Sequence, residues 1–328
     1  MKQVSVIIAF RNEQENIPTL LASIDQLTFP KNEVEFLFGN DGSEDSTADL
    51  LSAYAARHAN VRLINLEKPG KNEILRGKVR VLERLCKEAK GKYFLFTDAD
   101  IELPAGWIEG LLNHFSTTET GVVVGVTGMR ITSLKAAMQS MEWLTVLYFL
   151  YLFGKMGIKG TGMGNNMAVS KEAYWSTGGY KEIPFSIVED YALYKAVLQA
   201  GYKFKQAFEK EVLAYTKPPG KFFEQRKRWL KGGFESGSAL IIPGLVQTLW
   251  IPFLVVIGFI LPSALLYLVA APFVVLMLTT WLWQRQLHLK GFLKYVPIFG
   301  VYLPVTWLLT QLYYFLPGGI KWKNRIYE

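Results

Sequence analysis

"YFLFTDADIELP", Tyr93 to Pro104, is the stretch that decides the fold. An apolar and aromatic run of the kind buried in a sheet ends in two aspartates one residue apart. Side chains at i and i+2 of a strand point to the same face. A strand continuing through Asp98 and Asp100 would set their carboxylates side by side, roughly 6–7 Å apart. At an effective dielectric of about 20, two such charges repel by about 2–3 kcal/mol. The pattern calls for a positive charge between or beside them.

Outward from this stretch, apolar runs alternate with amphipathic ones. Val4–Phe10, Val34–Gly39, Val61–Leu66 and Tyr93–Thr97 read as buried parallel strands, and Asn12–Leu27, Ser46–Arg57 and Arg76–Lys90 carry helical periodicity between them. Strand and helix taking turns implies a doubly wound, Rossmann-like α/β sheet that binds ligands at the carboxyl ends of its strands. Polar clusters follow three of those strands: Arg11–Glu13 ("RNE"), Asn40–Ser43 ("NDGS") and Asp98–Asp100 ("DAD"). Asp, Gly and Ser also make turns, and Ser43 or Asp45 would serve as a helix cap. The aspartate pair likewise suits a solvated strand end. Its place at the edge of an α/β sheet in a basic chain favours a hard divalent cation, Mg2+ or Mn2+, bound through oxygen.

The 328-residue chain is 50% hydrophobic and carries a net charge of +8. Nearly all the acids lie in residues 1–230, whereas Leu240–Trp283 and Tyr295–Leu316 contain no charged residue. A bilayer core needs about 20 apolar residues per helix. Leu240–Trp283 is long enough for two spans turning near Pro262-Ser263, and Tyr295–Leu316 for one. The division expected is residues 1–235 as the α/β domain and 236–328 as a membrane domain, with segments at about 240–262, 263–284 and 292–316. Basic residues flank these segments: Arg226, Lys227, Arg228 and Lys231 before, Arg285, Lys290 and Lys294 between, and Lys321, Lys323 and Arg325 after. That placement points to a membrane face and away from nucleic acid. The positive-inside rule puts such flanks, and with them the front domain, in the cytoplasm at the cell membrane. The third flank conflicts with a single crossing by the last segment, so a re-entrant path through Pro297 and Pro304 stays open. Cys86 is the only cysteine, which excludes an internal disulfide. The N-terminal apolar run turns acidic at once without a small-residue cleavage site and reads as a first strand.

At this point the chain resembles a known family, the inverting glycosyltransferases of family 2, with the GT-A fold and nucleotide-sugar donors. "VSVIIAFRNEQENI" is similar to its opening strand and loop, and "NDGSEDST" to its "DDGSxDxT" motif. "GKVRVLERLCKEAKGKYFLFTDADIELP" resembles its lysine-to-DxD stretch. "GNNMAVSKEAYWSTGGY", "VEDYALYKAVLQAGYKF" and "QRKRW" follow in family order, so the resemblance covers about residues 4–235. It implies that Asp41 holds the base or ribose, with Glu13, Lys78 and Asp98 also on the donor. Asp98 and Asp100 would hold the metal that bridges the diphosphate. Asp190, beside Glu189, would be the general base. Arg228 would stabilise the leaving diphosphate, and Gln225 and Trp229 would shape the acceptor end with Glu189. The chemistry asks for these types: a diphosphate leaves only when its charge is neutralised, and a hydroxyl attacks only with a base in reach. Glu189-Asp190 also suits a helix N-terminus, and Trp229 a membrane-interface belt.

The chain departs from the family pattern at three places. Asn40 replaces the first aspartate of "DDGS", Glu83 stands in "VLE" where "ALN" is usual, and Val188 precedes Glu189 where processive synthases often carry threonine. Ser133–Gly157 is strongly apolar apart from Glu142. It reads as a buried core helix, or as one that docks on the bilayer or lines a lipid cleft. Two or three segments are few for a polymer channel, so transfer of one sugar to a lipid or lipid-linked hydroxyl is expected, from a uridine donor by family habit. The alternatives are a polyprenyl-phosphate acceptor, a nucleotidyltransferase on a similar sheet, and a membrane scaffold without activity.

Overall fold

The structure is a computed structural model and describes residues 3–67, 75–236, 241–316, 320–322 and 325–327. Leu240 and Lys323, which the sequence reading used for the first apolar stretch and the last basic flank, lie outside these residues. In chain order the front part runs β1 (Val4–Phe10), α1 (Ile17–Asp25), β2 (Val34–Asn40), α2 (Thr47–Ala55), β3 (Val61–Asn65), α3 (Gly77–Glu88) and β4 (Tyr93–Asp98). It continues through β5 (Ile101–Glu102), α4 (Trp107–Leu112), β6 (Thr120–Val124), β7 (Val126–Met129) and α5 (Leu134–Lys155). After these come β8 (Asn166–Ser170), α6 (Lys171–Ser176), α7 (Glu189–Gln199), β9 (Lys203–Gln206) and β10 (Leu213–Thr216). The rear part holds α8 (Phe222–Ser236), α9 (Ile241–Ile260), α10 (Pro262–Gln286), α11 (Val296–Phe315) and a hairpin of β11 (Ile320–Trp322) and β12 (Arg325–Tyr327). The chain divides into two units, Met1–Gly128 with Phe149–Lys217, and Met129–Tyr148 with Pro218–Glu328.

The first unit is built on a sheet of order β3-β2-β1-β4-β8-β6-β9, covered by helices. Strands β1 to β4 run parallel, as their unbroken apolar runs require of strands buried on both faces. Strand β8 is antiparallel to both β4 and β6. Phe10, Phe38, Phe94, Phe96 and Trp107 are fully buried, each stabilising the fold by about 1.5–3 kcal/mol. Register fixes the functional edge: Phe10 lies opposite Asn40 and Ala9 opposite Asp98, so three strands end together.

The second aspartate does not continue the strand. Strand β4 stops at Asp98, and Ala99-Asp100 form a turn. The chain then leaves the main sheet, and β5 pairs antiparallel with β10. The two carboxylates are therefore not neighbours along one strand face. The backbone groups beyond the turn find partners in the second sheet.

The second unit holds three helices long and apolar enough to cross a membrane, Ile241–Ile260, Pro262–Gln286 and Leu293–Phe315. The expected break falls at Leu261, with φ −143° and Pro262 opening α10. α11 runs unbroken over 20 residues through Pro304, about 30 Å at 1.5 Å per residue. Many of their large apolar side chains face outward, among them Leu249, Phe259, Leu266 and Val301, as a lipid-facing surface requires. The helices approach closely at small residues. A Cβ on Gly300 would lie 2.5 Å from Phe273 Cε1.

Candidate active site

The loops after β1 and β2 are stitched together by side chains. Asn12, at φ +52°, donates its N–H to Ser43 Oγ at 3.1 Å and accepts the Glu44 N–H at 2.8 Å. The Glu13 N–H reaches Thr47 Oγ1 at 2.8 Å, and Asp45 accepts from both Gln14 and Thr47. The turn chemistry of "NDGSEDST" therefore holds two strand ends together. Asn40 explains its departure from the family aspartate: its amide donates to Asn65 Oδ1 at 2.9 Å while its carbonyl accepts from Ser43. An aspartate has no hydrogen to give Asn65.

Asp41 is buried and is held by two guanidinium groups, Arg11 Nη1 at 3.4 Å and Arg80 Nη2 at 3.2 Å. Arg80 also donates to the Glu67 carbonyl at 2.6 Å. The sequence reading missed Arg80, although a signal existed. The first turn of α3 carries Lys78 and Arg80 and no acid, against the preference of a helix N-terminus for negative charge. Cations placed there need carboxylates from elsewhere.

Lys78 finds two. Its Nζ lies 2.6 Å from Asp98 Oδ1 and 2.8 Å from Glu189 Oε1. Burial opposes the ammonium charge, but Asp98 and Glu189 outweigh it and raise its pKa. Lys78 is therefore a positive group beside the first of the two aspartates, and it joins β4 to the start of α7. Asp100 accepts from Thr216 Oγ1 at 3.2 Å, a contact placed by the β5–β10 pairing. Its carboxyl is pushed up to about 6, first by lost hydration and then by the Asp98 and Glu13 carboxylates. Residue 100 still faces solvent, so the charge repulsion is the part the geometry supports. Among the described residues no group of three or more acidic, histidine or cysteine side chains is arranged to hold a metal.

Asp190 opens α7 and is half-buried. Its Oδ2 accepts the Gly164 N–H at 2.7 Å and its Oδ1 the Tyr191 N–H at 2.8 Å. Burial, then the Glu189 carboxylate, pushes it up to about 6, against the pull of the two N–H donors and Lys78. The loop "GTGMGNN" is shaped to this residue. A Cβ on Gly162 would strike the Asp190 backbone, and one on Gly164 would sit 3.1 Å from Asp190 Cβ. Gly162 is a second residue the sequence reading missed, and the glycine spacing before Asn165 was the available signal. Tyr180 is a third. Burial raises its phenol well above the usual range, with Glu189, Cys86, Asp190 and Asp98 adding to the effect. Glu83, by contrast, is occupied structurally, accepting from Tyr174 Oη at 2.7 Å and the Tyr180 N–H at 3.1 Å.

The structure thus brings Glu13, Lys78, Asp98, Asp100, Glu189 and Asp190 to one edge of the first unit, with Asp41 just past the end of β2. Gln225, Arg228 and Trp229 lie on α8 in the second unit. Trp229 packs edge-on against Trp143, centroids 5.0 Å apart. Glu142, which interrupts the apolar run of α5, is buried in a bidentate pair with Arg226 at 2.7 and 2.5 Å. Arg226 is thereby withdrawn from the basic flank.

Residues 5–178 match the family model described as Glycosyl transferase family 2, and residues 93–322 that of Glycosyl transferase family group 2. A poly-β-1,6-N-acetyl-D-glucosamine synthase of Staphylococcus epidermidis is 26% identical over 243 residues, 71% of this chain and 55% of the relative. A dolichyl-phosphate β-glucosyltransferase of Dictyostelium discoideum is 27% identical over 176 residues, 49% of this chain and 52% of the relative. The chain spans about half the length of these curated relatives. A mannosyltransferase of Pyrobaculum calidifontis, solved in complex with GDP-Man and Mn2+, is similar at TM-score 0.56 and 17% identity. That likeness covers 95% of this chain and 84% of the other, and at this identity it is one of fold.

Proposed function

This chain belongs to glycosyl transferase family 2, and on that premise we propose that it is a membrane-bound inverting transferase that moves a sugar from a nucleoside-diphosphate donor to a hydroxyl of a lipid or lipid-linked acceptor. The observation that carries the reading is Asp190: a carboxylate aimed by two N–H donors, pushed up to about 6, one residue from the Glu189–Lys78–Asp98 chain. A general base works best with a pKa near the operating pH.

In this reading the nucleoside lies along Asp41, whose arginine pairs hold its carboxylate in place. Asp98 and Asp100 fit a divalent cation, because they are hard oxygen donors and Asp100 bears unrelieved repulsion from Asp98 and Glu13. When bound, Mg2+ or Mn2+ supplies charge neutralisation for the departing diphosphate. The acceptor oxygen attacks the anomeric carbon, its proton passes to an Asp190 carboxylate oxygen, and the bond to the diphosphate breaks with its electron pair leaving on the phosphate. Lys78 and Arg228 supply positive charge to that leaving group. Gln225 and Trp229 shape the acceptor end with Glu189. The β-linkage in the names of the Staphylococcus and Dictyostelium relatives supports inversion from an α-linked donor.

A second reading rests on the Dictyostelium relative, whose name specifies dolichyl phosphate. A phosphate acceptor is already an anion and needs no base. Incubating membranes with labelled nucleotide sugars, uridine donors first, tests transfer itself. Pyrophosphate release without transfer would favour a nucleotidyltransferase. Titrating nucleoside diphosphate with Mn2+ against the native protein and Asp100→Asn tests the metal: binding by the first and not the second is expected, and no binding by either would favour a scaffold. The cytoplasmic orientation at the cell membrane is supported by the basic loop between α10 and α11. A tag at Lys290 is expected in the cytoplasm, and an external tag would overturn that placement.

A further inference from the structure

The second unit contains a buried ion pair that the reaction above does not use. Glu142 on α5 and Arg226 on α8 are 3% and 7% exposed, and both carboxylate oxygens are taken by the guanidinium. Rings surround the cation: its centre lies 4.8 Å from Phe222 and 5.5 Å from each of Trp229 and Trp307. Trp143, next to Glu142, meets Trp229, one turn from Arg226, edge-on. Among the described residues Arg226 Nε has no hydrogen-bond partner, and the guanidinium's bonding to Glu142 runs through two parallel contacts.

Such a pair is a poor choice for stability alone. Two ions taken out of water are often replaced by apolar side chains of similar size without loss. A fork-to-fork pair differs from an apolar contact in being directional. Two parallel hydrogen bonds fix the rotation of a helix about its own axis, which leucine against leucine does not. α8 carries Arg226 directly between Gln225 and Arg228. At 100° per residue, turning Arg226 away from α5 by one rotamer-sized step swings both neighbours through the same angle.

We propose that Glu142 and Arg226 are a positioning pair that sets the rotation of α8, and through it the placement of Gln225 and Arg228 for transfer. This rests on the transferase reading for its consequence, though not for its geometry. Neither residue is a catalytic residue; each acts through α8.

The test uses the full chain in detergent or nanodiscs. Glu142→Gln and Arg226→Gln each strand a buried group and are expected to lower the melting temperature. The deciding variant is the double replacement Glu142→Leu with Arg226→Leu. It is expected to melt at or above the native temperature while kcat falls about tenfold to a hundredfold, the scale of a small misplacement. KM for the nucleotide sugar is expected to stay within about twofold, because Arg228 meets the charge that grows as the diphosphate departs, while the contacts proposed for the bound donor lie on the first unit. A readout independent of transfer is the alkylation rate of a cysteine placed at residue 225, expected to change several-fold in the double variant. Native kcat in a stable double variant, or an unchanged alkylation rate, overturns the proposal. If the native protein transfers no sugar, the transferase reading fails while the alkylation rate still decides the role of the pair.

Discussion

Two groups of charged side chains in this molecule follow opposite plans. At the sheet edge of the first unit, Lys78 serves both Asp98 and Glu189, and the carboxylates of Asp100, Glu13 and Asp190 crowd the same region. In the second unit one carboxylate meets one guanidinium, and rings close over the pair. The first arrangement is left short of positive charge, which is costly in the free protein and useful when a divalent cation arrives, alone or carrying a diphosphate. The second is balanced, and it asks for nothing from outside. In the reading proposed above, unbalanced charge marks the place for chemistry, and balanced charge the place where geometry is held.

The sharpest way to break this comparison is Asp190→Asn. If the crowded edge does chemistry with a hydroxyl acceptor, transfer falls by ~10²–10⁴-fold while nucleoside diphosphate binding persists. A rate near native would remove Asp190 as base and leave the phosphate acceptor in front. Next in size is a pair of cation removals. Arg226→Met strands a buried carboxylate, and a loss of about 3–5 kcal/mol in unfolding free energy is expected. Lys78→Met removes a partly exposed ammonium that keeps its carboxylates near solvent, so its stability cost is expected well below that of Arg226→Met, while donor binding weakens. Equal losses in calorimetric melting would end the contrast between the two sites.

Acid should separate stability from activity at the crowded edge. Asp100 and Asp190 have native values of about 6 against an ordinary 3.8. Between about pH 4 and pH 6 the folded chain therefore holds more protons than the unfolded one, and these two groups contribute stability that is lost as pH rises. With Asp190 as the proposed base, transfer needs it ionised and is expected to move the other way, falling about tenfold per unit below an apparent value near 6. Melting temperature and initial rate, measured on the same samples from pH 4.5 to 8, are expected to trend oppositely across that window.

Much of the fold was legible because its signals are local. Strand β1 lies where its apolar run predicts, and β2, β3 and β4 end within one residue of expectation. The break at Leu261 and Pro262 follows from proline chemistry. What escaped depends on partners distant in sequence. The stop at Asp98 is set by β10, more than a hundred residues on, which draws β5 out of the main sheet. Lys78 was expected at the donor, but its bridge to Glu189 requires the start of α7 to lie beside the start of α3, and no spacing encodes that. Glu142 read only as a flaw in an apolar helix, because its meaning is Arg226, 84 positions away. Gly162 was passed over for the same reason: the backbone it would clash with, at Asp190, belongs to another element.

The smallest expected effect bears on the base itself. Val188 occupies the N-cap of α7 and offers no side-chain hydrogen bond there. The donor such a cap would take, the Tyr191 N–H, is instead held by Asp190 Oδ1 at 2.8 Å. Asp190 therefore takes the place of a cap in addition to the role as base proposed for it, and that N–H is one of the contacts that lower its pKa. Val188→Thr places a hydroxyl where it competes for the same hydrogen. The variant is expected to gain about 0.5–1 kcal/mol of stability, while the acid limb of transfer moves to higher pH as Asp190 loses a donor. Removing a hydrogen bond to the charged form raises a carboxyl pKa, so the two changes must appear together. A stabilised variant with an unmoved acid limb would show that the introduced hydroxyl capped the helix without relieving Asp190, and that the rate does not report this carboxylate.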